Sequence, residues 1–205
     1  MLCSFGSHLV KAFRTSSVSV THADQARGPT LVDHYISSAD KRKHVIAVSA
    51  IMKSIAKSIG ANEDESELVG LMHDLDYDLV KGDMRRHGLV AAEILEGKLP
   101  ESCLHAIRAH DYRSGIEPKS TIDKALIATD CVSFLIVRAA LATPQRKTRE
   151  LGLGVLKKVF ESESFPVFLR NGILTCKDIG LTLEQFLQLA LTAIPNDLII
   201  NSSDL

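Results

Sequence analysis

The sequence predicts an all-α protein. Apolar residues recur at three- and four-residue intervals in long stretches, whereas the strict alternation typical of half-buried strands is absent. Residues that start and stop helices separate these stretches, with Asn62 and Thr182 at predicted starts and Gly60 and Gly97 at predicted ends. A chain of 205 residues can form one substantial domain with a tail or a small subdomain.

Composition excludes several classes of protein. The hydrophobic content of 45% and charged content of 24% are typical of soluble globular domains. The net charge is −1 and no basic block occurs, so nucleic-acid binding is not indicated. No apolar run is long enough to cross a bilayer, and no membrane association is expected. The four cysteines form no C-x-x-C pair, which is typical of free thiols in an intracellular protein, and we expect a cytoplasmic location.

Three segments are predicted along the chain. Residues 1–29 lack sustained periodicity and are expected to form a flexible extension, with a transit peptide as the alternative interpretation of their basic, serine-containing composition. Residues 30–143 hold the main helical pattern. Past Pro144 the pattern changes, and residues 144–205 are expected to form additional helices that pack on the main domain.

The first predicted helices are justified by their caps. A short helix is expected over 31–36. A long helix follows, with Asp40 as its cap, apolar residues at helical spacing from Val45 to Ile59, and Gly60 at its end. Asn62 is expected to cap the next helix, whose first turn is acidic and which closes at the pair His73-Asp74.

The remaining helices follow from the same signals. A helix over 85–96 would carry His87 in its first turn, and Pro100 suits the first turn of another that ends at His110. A helix opening near Thr121 places Asp130 between apolar neighbours. Three further helices are predicted over 146–160, 165–173 and 182–195, the last with a capping box.

Ionisable side chains collect at the ends of these helices. Adjacent helix positions point about 100° apart, so His73 and Asp74 cannot share one buried stripe, yet both can reach a metal ion at the helix end. Asp130 needs a cation or a hydrogen-bond partner, because an uncompensated buried carboxylate is costly. If the bundle brings one end of each helix together, six ligands meet: His44, His73, Asp74, His87, His110 and Asp130.

Such a nitrogen and oxygen donor set suits Mn, Fe, Co, Ni or Zn, and the carboxylate of Asp74 can bridge two ions. Each histidine alone also has a simpler interpretation as a capped or water-bonded side chain. His87 could belong to a polar helix start, and His110 could interact with a helix dipole. The joint pattern favours a site for a divalent transition metal, with one ion or two as the open alternatives.

The order of these residues resembles the HD superfamily of metal-dependent phosphohydrolases, which carries H…HD…D along a helical bundle. The matching residues are His44, His73-Asp74 and Asp130, and the resemblance covers roughly residues 31–143. The two additional histidines, His87 and His110, resemble the binuclear variants in HDIG and HD-GYP proteins and in inositol oxygenase. The HDIG continuation Gly-Lys is replaced here by Leu-Asp-Tyr-Asp, and no Gly-Tyr-Pro follows His110. Cyclic-dinucleotide hydrolysis is therefore not supported.

The resemblance implies an HD-domain helical bundle that hydrolyses a small-molecule phosphate ester. It implies one ion at His44, His73, Asp74 and Asp130 and a second at Asp74, His87 and His110. Asp74 and Asp78 are the predicted catalytic carboxylates; Asp78 or Asp76 is expected to orient water or hold a ligand histidine. Lys81, Arg85 and Arg86 are candidate phosphate-binding residues, with a solvated loop as the equal alternative.

The resemblance implies the activity of a phosphatase or phosphodiesterase. A nucleotide substrate is suggested only by the substrates of the family. Two alternatives stay open at this stage. One is a di-iron oxygenase of the inositol-oxygenase type, which uses the same six ligands. The other is a non-catalytic HD module that binds a metal or a small molecule without turnover.

Overall fold

The computed structural model describes residues 22–144, 146–148 and 151–195. Within these ranges the regular elements are all helical, which confirms the predicted all-α class. Two 3₁₀ helices, Tyr112–Ser114 and Thr175–Ile179, accompany the α-helices. The α-helices are α1 (His22–Tyr35), α2 (Ala39–Ile59), α3 (Glu63–Met72), α4 (Leu89–Ile94), α5 (Glu101–Ala109), α6 (Thr121–Leu141), α7 (Leu153–Glu161), α8 (Val167–Leu174) and α9 (Leu183–Ala193).

Several helix ends lie where the sequence predicted them. Gly60 ends α2 in the left-handed region, with φ 71°, and its N–H donates to the Ala56 carbonyl. The Asn62 side chain caps α3 by accepting from the Glu65 N–H at 3.2 Å. Thr182 forms the predicted capping box at the start of α9. These three residues therefore begin or end their helices as the sequence predicts.

Other boundaries differ from the prediction. The start of α2 is capped by Ser38, whose Oγ accepts from the Lys41 N–H, and not by Asp40. The helix expected over 85–96 spans only Leu89–Ile94, because residues 73–88 follow a series of turns. The helix expected over 146–160 begins at Leu153. Helix α2 therefore starts earlier than predicted, whereas α4 and α7 start later, and periodicity defines the first residues of a helix least well.

The N-terminal boundary also needs correction. The extension was predicted to run to residue 29, but α1 already begins at His22 and contains Pro29. Gly28 packs directly on α3, since a Cβ at this position would lie 2.9 Å from Leu71 Cδ2. Residues 1–21, the rest of the predicted extension, lie outside the described residues.

The core is built around α2, which packs against α3, α6 and α9. The loop that joins α2 to α3 is short, so the two helices run antiparallel. Gly70 lets them approach closely, because a Cβ there would lie only 2.8 Å from Ser49 Cα. The start of α2 therefore lies beside the end of α3. The largest fully buried side chains include Ile51, Ile55, Leu68, Leu126, Leu135 and Phe186.

The C-terminal helices contact the rest of the bundle. Helices α7 and α8 pack against α6, and α9 packs against α2. The assignment of 144–205 as a separate segment stays a prediction. Among the helices of the described residues, none combines the length and the apolar character that a membrane span requires.

Candidate metal centre

The six predicted ligands come together at one end of the bundle. Two overlapping groups have all their ligand atoms within 4.8 Å of one another: His44, His73 and Asp130, and His73, Asp74 and His110. His87 joins them, because its Nε2 lies 3.0 Å from Asp74 Oδ1 and 3.2 Å from His110 Nε2. Five helices, α2 to α6, position these side chains within themselves or at their ends.

Asp74 lies at the centre of the cluster. Its Oδ2 is 3.3 Å from His44 Nε2, whereas its Oδ1 is 3.0 Å from His87 Nε2 and 3.7 Å from His110 Nε2. Oδ1 also lies 3.3 Å from His73 Nε2, so the carboxylate lies near all four imidazoles and could be shared between two ions. Asp130 Oδ1 lies near two of them, 3.1 Å from His44 Nε2 and 3.7 Å from His73 Nε2.

The spacing of the imidazole nitrogens fits metal coordination. His44 Nε2 and His73 Nε2 are 3.3 Å apart, and His87 Nε2 and His110 Nε2 are 3.2 Å apart. Two nitrogens bound at about 2.1 Å to one ion are separated by about 3.0 Å at a right angle and about 3.4 Å at a tetrahedral angle. Both pairs lie within this interval, so each pair can share one ion.

Two of the ring tautomers follow from backbone contacts. His73 Nδ1 donates to the Gly70 carbonyl at 2.9 Å, and His110 Nδ1 donates to the Ile107 carbonyl at 2.7 Å. A carbonyl oxygen only accepts, so Nδ1 of each ring carries the hydrogen. In the neutral ring, Nε2 is then left with its lone pair directed into the centre.

The other two histidines are oriented by side chains. Ser133 Oγ donates to the Asp130 carbonyl at 2.7 Å, so it accepts from His44 Nδ1 at 3.1 Å. His87 Nδ1 lies 2.8 Å from Asp76 Oδ1, and the fully buried Asp76 also accepts from the Ala91 N–H at 3.0 Å. All four imidazoles therefore direct Nε2 towards the cluster.

Imidazole lone pairs that face each other beside buried carboxylates need a positive charge between them. In the absence of a metal ion, protonation of some of the histidines supplies part of this charge. Burial lowers the pKa of His44, but Asp130 and Asp74 outweigh it and raise the pKa above its ordinary value. Burial also lowers the pKa of His87, but its contacts with Asp74 and Asp76 outweigh burial and raise the pKa to about 10. Burial dominates at His73 and lowers its pKa.

The carboxylates remain ionised. Burial raises the pKa of Asp74, but its interactions with the neighbouring histidines and with the ammonium group of Lys41 outweigh burial and hold the pKa well below its usual range. The pKa of Asp130 also lies below its usual range, since hydrogen bonds from His44 and His73 outweigh its burial. Ionised carboxylates and imidazole lone pairs are the forms that bind metal ions.

Gly88 fixes the position of His87. Its φ of 76° is a conformation that glycine adopts without strain, and a Cβ there would lie 2.4 Å from the Ile107 carbonyl oxygen. The backbone before α4 can therefore touch the end of α5. This contact places His87 opposite His110.

Lys41 was missed by the sequence reasoning. Its Nζ lies 2.9 Å from Asp74 Oδ2 and 3.9 Å from the centre of the Tyr77 ring. Burial lowers its pKa, but Asp74 outweighs burial and the pKa is raised. Helical spacing contained the signal, because residues three apart share a helix face and Lys41 precedes His44 by three.

The other predicted site residues lie outside the cluster. Asp78 accepts hydrogen bonds from Ser37 N and Oγ, at 2.8 and 2.7 Å, whereas Asp76 pairs with the candidate ligand His87. The candidate phosphate-binding residues are exposed, and Arg85 Nε lies 3.6 Å from Asp83. In the described part of the chain, none of them forms an ion pair with a ligand. Their substrate role, which concerns Lys81, Arg85 and Arg86, stays a prediction.

The comparison with known protein families agrees with this geometry. A family model described as HD domain matches residues 42–158, more than half of the chain and a range that contains all six predicted ligands. The chain belongs to the HD-domain family, and the predicted resemblance to the HD superfamily is confirmed. The match does not assign the HDIG subgroup. No curated protein and no solved structure gave a significant match. HD domains are typically metal-dependent phosphohydrolases.

Proposed function

We propose that the chain is a metal-dependent hydrolase of small-molecule phosphate esters. The observation that carries this proposal is the convergence of four imidazole Nε2 atoms and two ionised carboxylates, with every ring held through Nδ1. A structural cluster of histidines has no need for Nε2 atoms that face each other. Ligands for metal ions do need this arrangement.

The donor atoms divide into two sets. His44, His73, Asp74 and Asp130 would hold one divalent ion. Asp74, His87 and His110 would hold the second, with Asp74 shared between them. When bound, such ions neutralise phosphoryl oxygens and lower the pKa of water so that it can attack phosphorus.

Substrate would enter from the side of His44 and Asp130. Their side chains are 13% and 19% exposed, whereas those of His73, His87 and His110 are between 0% and 5% exposed. The buried histidines therefore form the floor of the centre. Asp130, on the open side, is in position to contact the attacking water or the bound ester.

A panel of phosphate monoesters and diesters, nucleotides included, tests the proposal on protein loaded separately with Mn, Fe, Co, Ni and Zn. We expect hydrolysis of at least one class, its loss on chelation, and its loss in His73→Ala and Asp74→Ala. Absence of turnover over the whole panel, with metal bound stoichiometrically, would instead support a non-catalytic binding module.

Iron chemistry is the second candidate, because four imidazole nitrogens with two carboxylates also suit a di-iron pair. Purification without oxygen, followed by an optical and paramagnetic resonance spectrum of the iron-loaded protein, separates the two functions. A mixed-valent iron signal that changes when oxygen is admitted, without phosphate-ester turnover, would favour the oxygenase.

A further inference from the structure

We propose that Lys41 binds a phosphoryl oxygen of the substrate and that the ring of Tyr77 holds its ammonium group beside the centre. This inference rests on the proposed function. It assigns a phosphate-binding cation to α2, whereas the sequence pointed to the loop over 81–86.

The position of Lys41 is unusual for a lysine. It stands in the first turn of α2, yet its side chain is only 16% exposed and its Nζ contacts a carboxylate of the centre, Asp74, at 2.9 Å. Lys53, on the same helix, is 45% exposed and pairs with Glu67 at 2.7 Å. Both lysines join α2 to α3, but Lys41 does so within the metal centre.

Tyr77 restricts where the ammonium group can lie. Nζ lies 3.9 Å from the centre of its ring, a distance typical of a cation–π contact. The centres of the Tyr77 and His87 rings are 6.1 Å apart, and the two rings meet edge to face. Tyr77 is 41% exposed, so it lies at the border between the centre and solvent. Lys41 is thereby held at this border.

Metal binding changes what Lys41 can contact. Asp74 Oδ2 also faces His44, so an ion in that half of the centre would take the oxygen that Nζ now contacts. The ammonium group and a divalent ion repel each other, and the flexible lysine stem allows Nζ to turn away. Phosphoryl oxygens bound next to the ions would offer Nζ new acceptors, since an ammonium group is a strong phosphate partner.

The test uses inorganic phosphate and metal-loaded protein, with calorimetry as the readout. In Lys41→Met we expect phosphate affinity to fall about ten- to hundredfold, the range for a charge-assisted hydrogen bond. Metal affinity should rise, because a competing positive charge has been removed beside Asp74. Lys41→Arg should keep part of the phosphate affinity. The matched control Lys53→Met removes the other α2–α3 ion pair and should change neither affinity.

Variants of Tyr77 separate the ring from its hydroxyl. Tyr77→Phe keeps the aromatic face and should bind phosphate as the wild type does, whereas Tyr77→Leu should bind it more weakly. Unchanged phosphate affinity in Lys41→Met would overturn the proposal. Metal loss in Lys41→Met would also overturn it, since that result assigns Lys41 to the support of Asp74.

The outcomes also distinguish this inference from the proposed hydrolase. If the wild type hydrolyses no ester but binds phosphate through Lys41, the hydrolase proposal fails and the assignment of Lys41 stands. If the metal-loaded wild type binds no phosphate, the assignment of Lys41 is wrong.

Discussion

The state of each imidazole is decided at the nitrogen that faces away from the centre. Backbone carbonyls accept from Nδ1 of His73 and His110, Ser133 accepts from His44, and a carboxylate pairs with His87. Of these four partners, only the carboxylate of Asp76 adds charge. We therefore expect His87 to be the candidate ligand whose protonation and metal affinity depend most on a single neighbour.

Asp76→Asn tests this dependence. The amide oxygen can keep the Ala91 N–H bond, but the amide nitrogen then faces His87 Nδ1 as a donor, which favours the wrong tautomer for binding through Nε2. We expect affinity for the second ion to fall about 10- to 100-fold while the first ion stays bound. Metal titration with elemental analysis measures both.

A second histidine–carboxylate pair supplies the control. His105 Nδ1 and Asp123 Oδ2 are 2.9 Å apart, and neither residue belongs to the centre. Asp123→Asn should lower stability, because Asp123 forms the capping box of α6 with Ser120, and should leave metal affinity unchanged. Equal loss of metal in both variants would show a global effect and contradict the role of Asp76.

The pH dependence of metal binding follows from the pKa of His87. Burial lowers this pKa, but Asp74 and Asp76 raise it to about 10 in the metal-free protein. A metal ion must displace the proton, so affinity for the second ion should increase as pH rises, by up to about tenfold per pH unit below that pKa. Competition titrations with a chelator at several pH values measure the slope.

The metal-free protein should show the opposite trend in stability. Its folded pKa for His87, about 10, lies above the unfolded value of 6.5, so the contribution of the protonated ring is complete below pH 6.5. This contribution is lost as pH rises through about 10. Thermal melts in chelator should be steeper functions of pH for the wild type than for His87→Gln. Identical slopes would contradict this interpretation.

At the residue scale, the sequence indicated the six candidate ligands but not the groups that orient them. The sequence shows histidines and aspartates at predicted helix ends, and the six side chains lie close together in the structure. The acceptors for His73 and His110 are backbone carbonyls, which carry no sequence signature. Lys41 was missed because a lysine in a helical first turn is ordinarily solvated.

At the scale of elements, helix ends position the centre. His73 and His110 occupy the residue after the last helical turn of α3 and α5, and His87 precedes α4. These positions bring the three side chains to the same end of the bundle. The close approach of α4 to α5 depends on Gly88, which has no Cβ to collide with the Ile107 carbonyl.

Gly88→Ala should disturb the second half of the centre. The new Cβ would lie 2.4 Å from the Ile107 oxygen, and the backbone φ of 76° is strained for alanine. We expect a loss of about 2–4 kcal/mol of stability, from backbone strain and steric overlap together, and weaker binding of the second ion. Chemical denaturation and metal titration measure these effects.

Gly97→Ala is the matched control. Its φ is 72°, but a Cβ there would meet nothing within 4 Å. We expect a cost of only about 1 kcal/mol from the backbone and unchanged metal binding. If both variants lose the second ion equally, the close approach at Gly88 is not what positions His87.

The elements could be predicted to the extent that their signals are local. Caps at Asn62 and Thr182 and the stop at Gly60 act within a few residues and were found correctly. The length of α4 was not found, because the turns before it depend on contacts between distant segments. The start of α1 was missed because Gly28 and Pro29 read as a helix break, while tertiary packing on α3 favours the helix.

At the scale of the whole molecule, α1 is part of the core. Val32 and Ile36 are 4% and 0% exposed, and Gly28 contacts α3, which carries His73 at its end. Burial of such aliphatic side chains stabilises by about 1.5–3 kcal/mol each. This packing gives α1 a structural role next to the centre, although no ligand comes from it.

Shortened chains test this role. A chain beginning at His22 should keep the metal and the melting temperature, since the sequence places no ligand before that residue. A chain beginning at Thr30 should keep the metal but melt at a lower temperature, and one beginning at Ser37 should melt lowest. Equal melting temperatures for all three chains would show that α1 adds nothing to the core.

The central claim is that six side chains of one bundle end hold two metal ions. Elemental analysis of metal per chain at saturation tests it most directly. We expect two ions in the wild type, one in His87→Gln and in His110→Gln, at most one in His73→Ala, and none in Asp74→Ala, which removes the shared carboxylate. A wild type that saturates at one ion per chain, with His87→Gln and His110→Gln still fully loaded and active, would contradict the account.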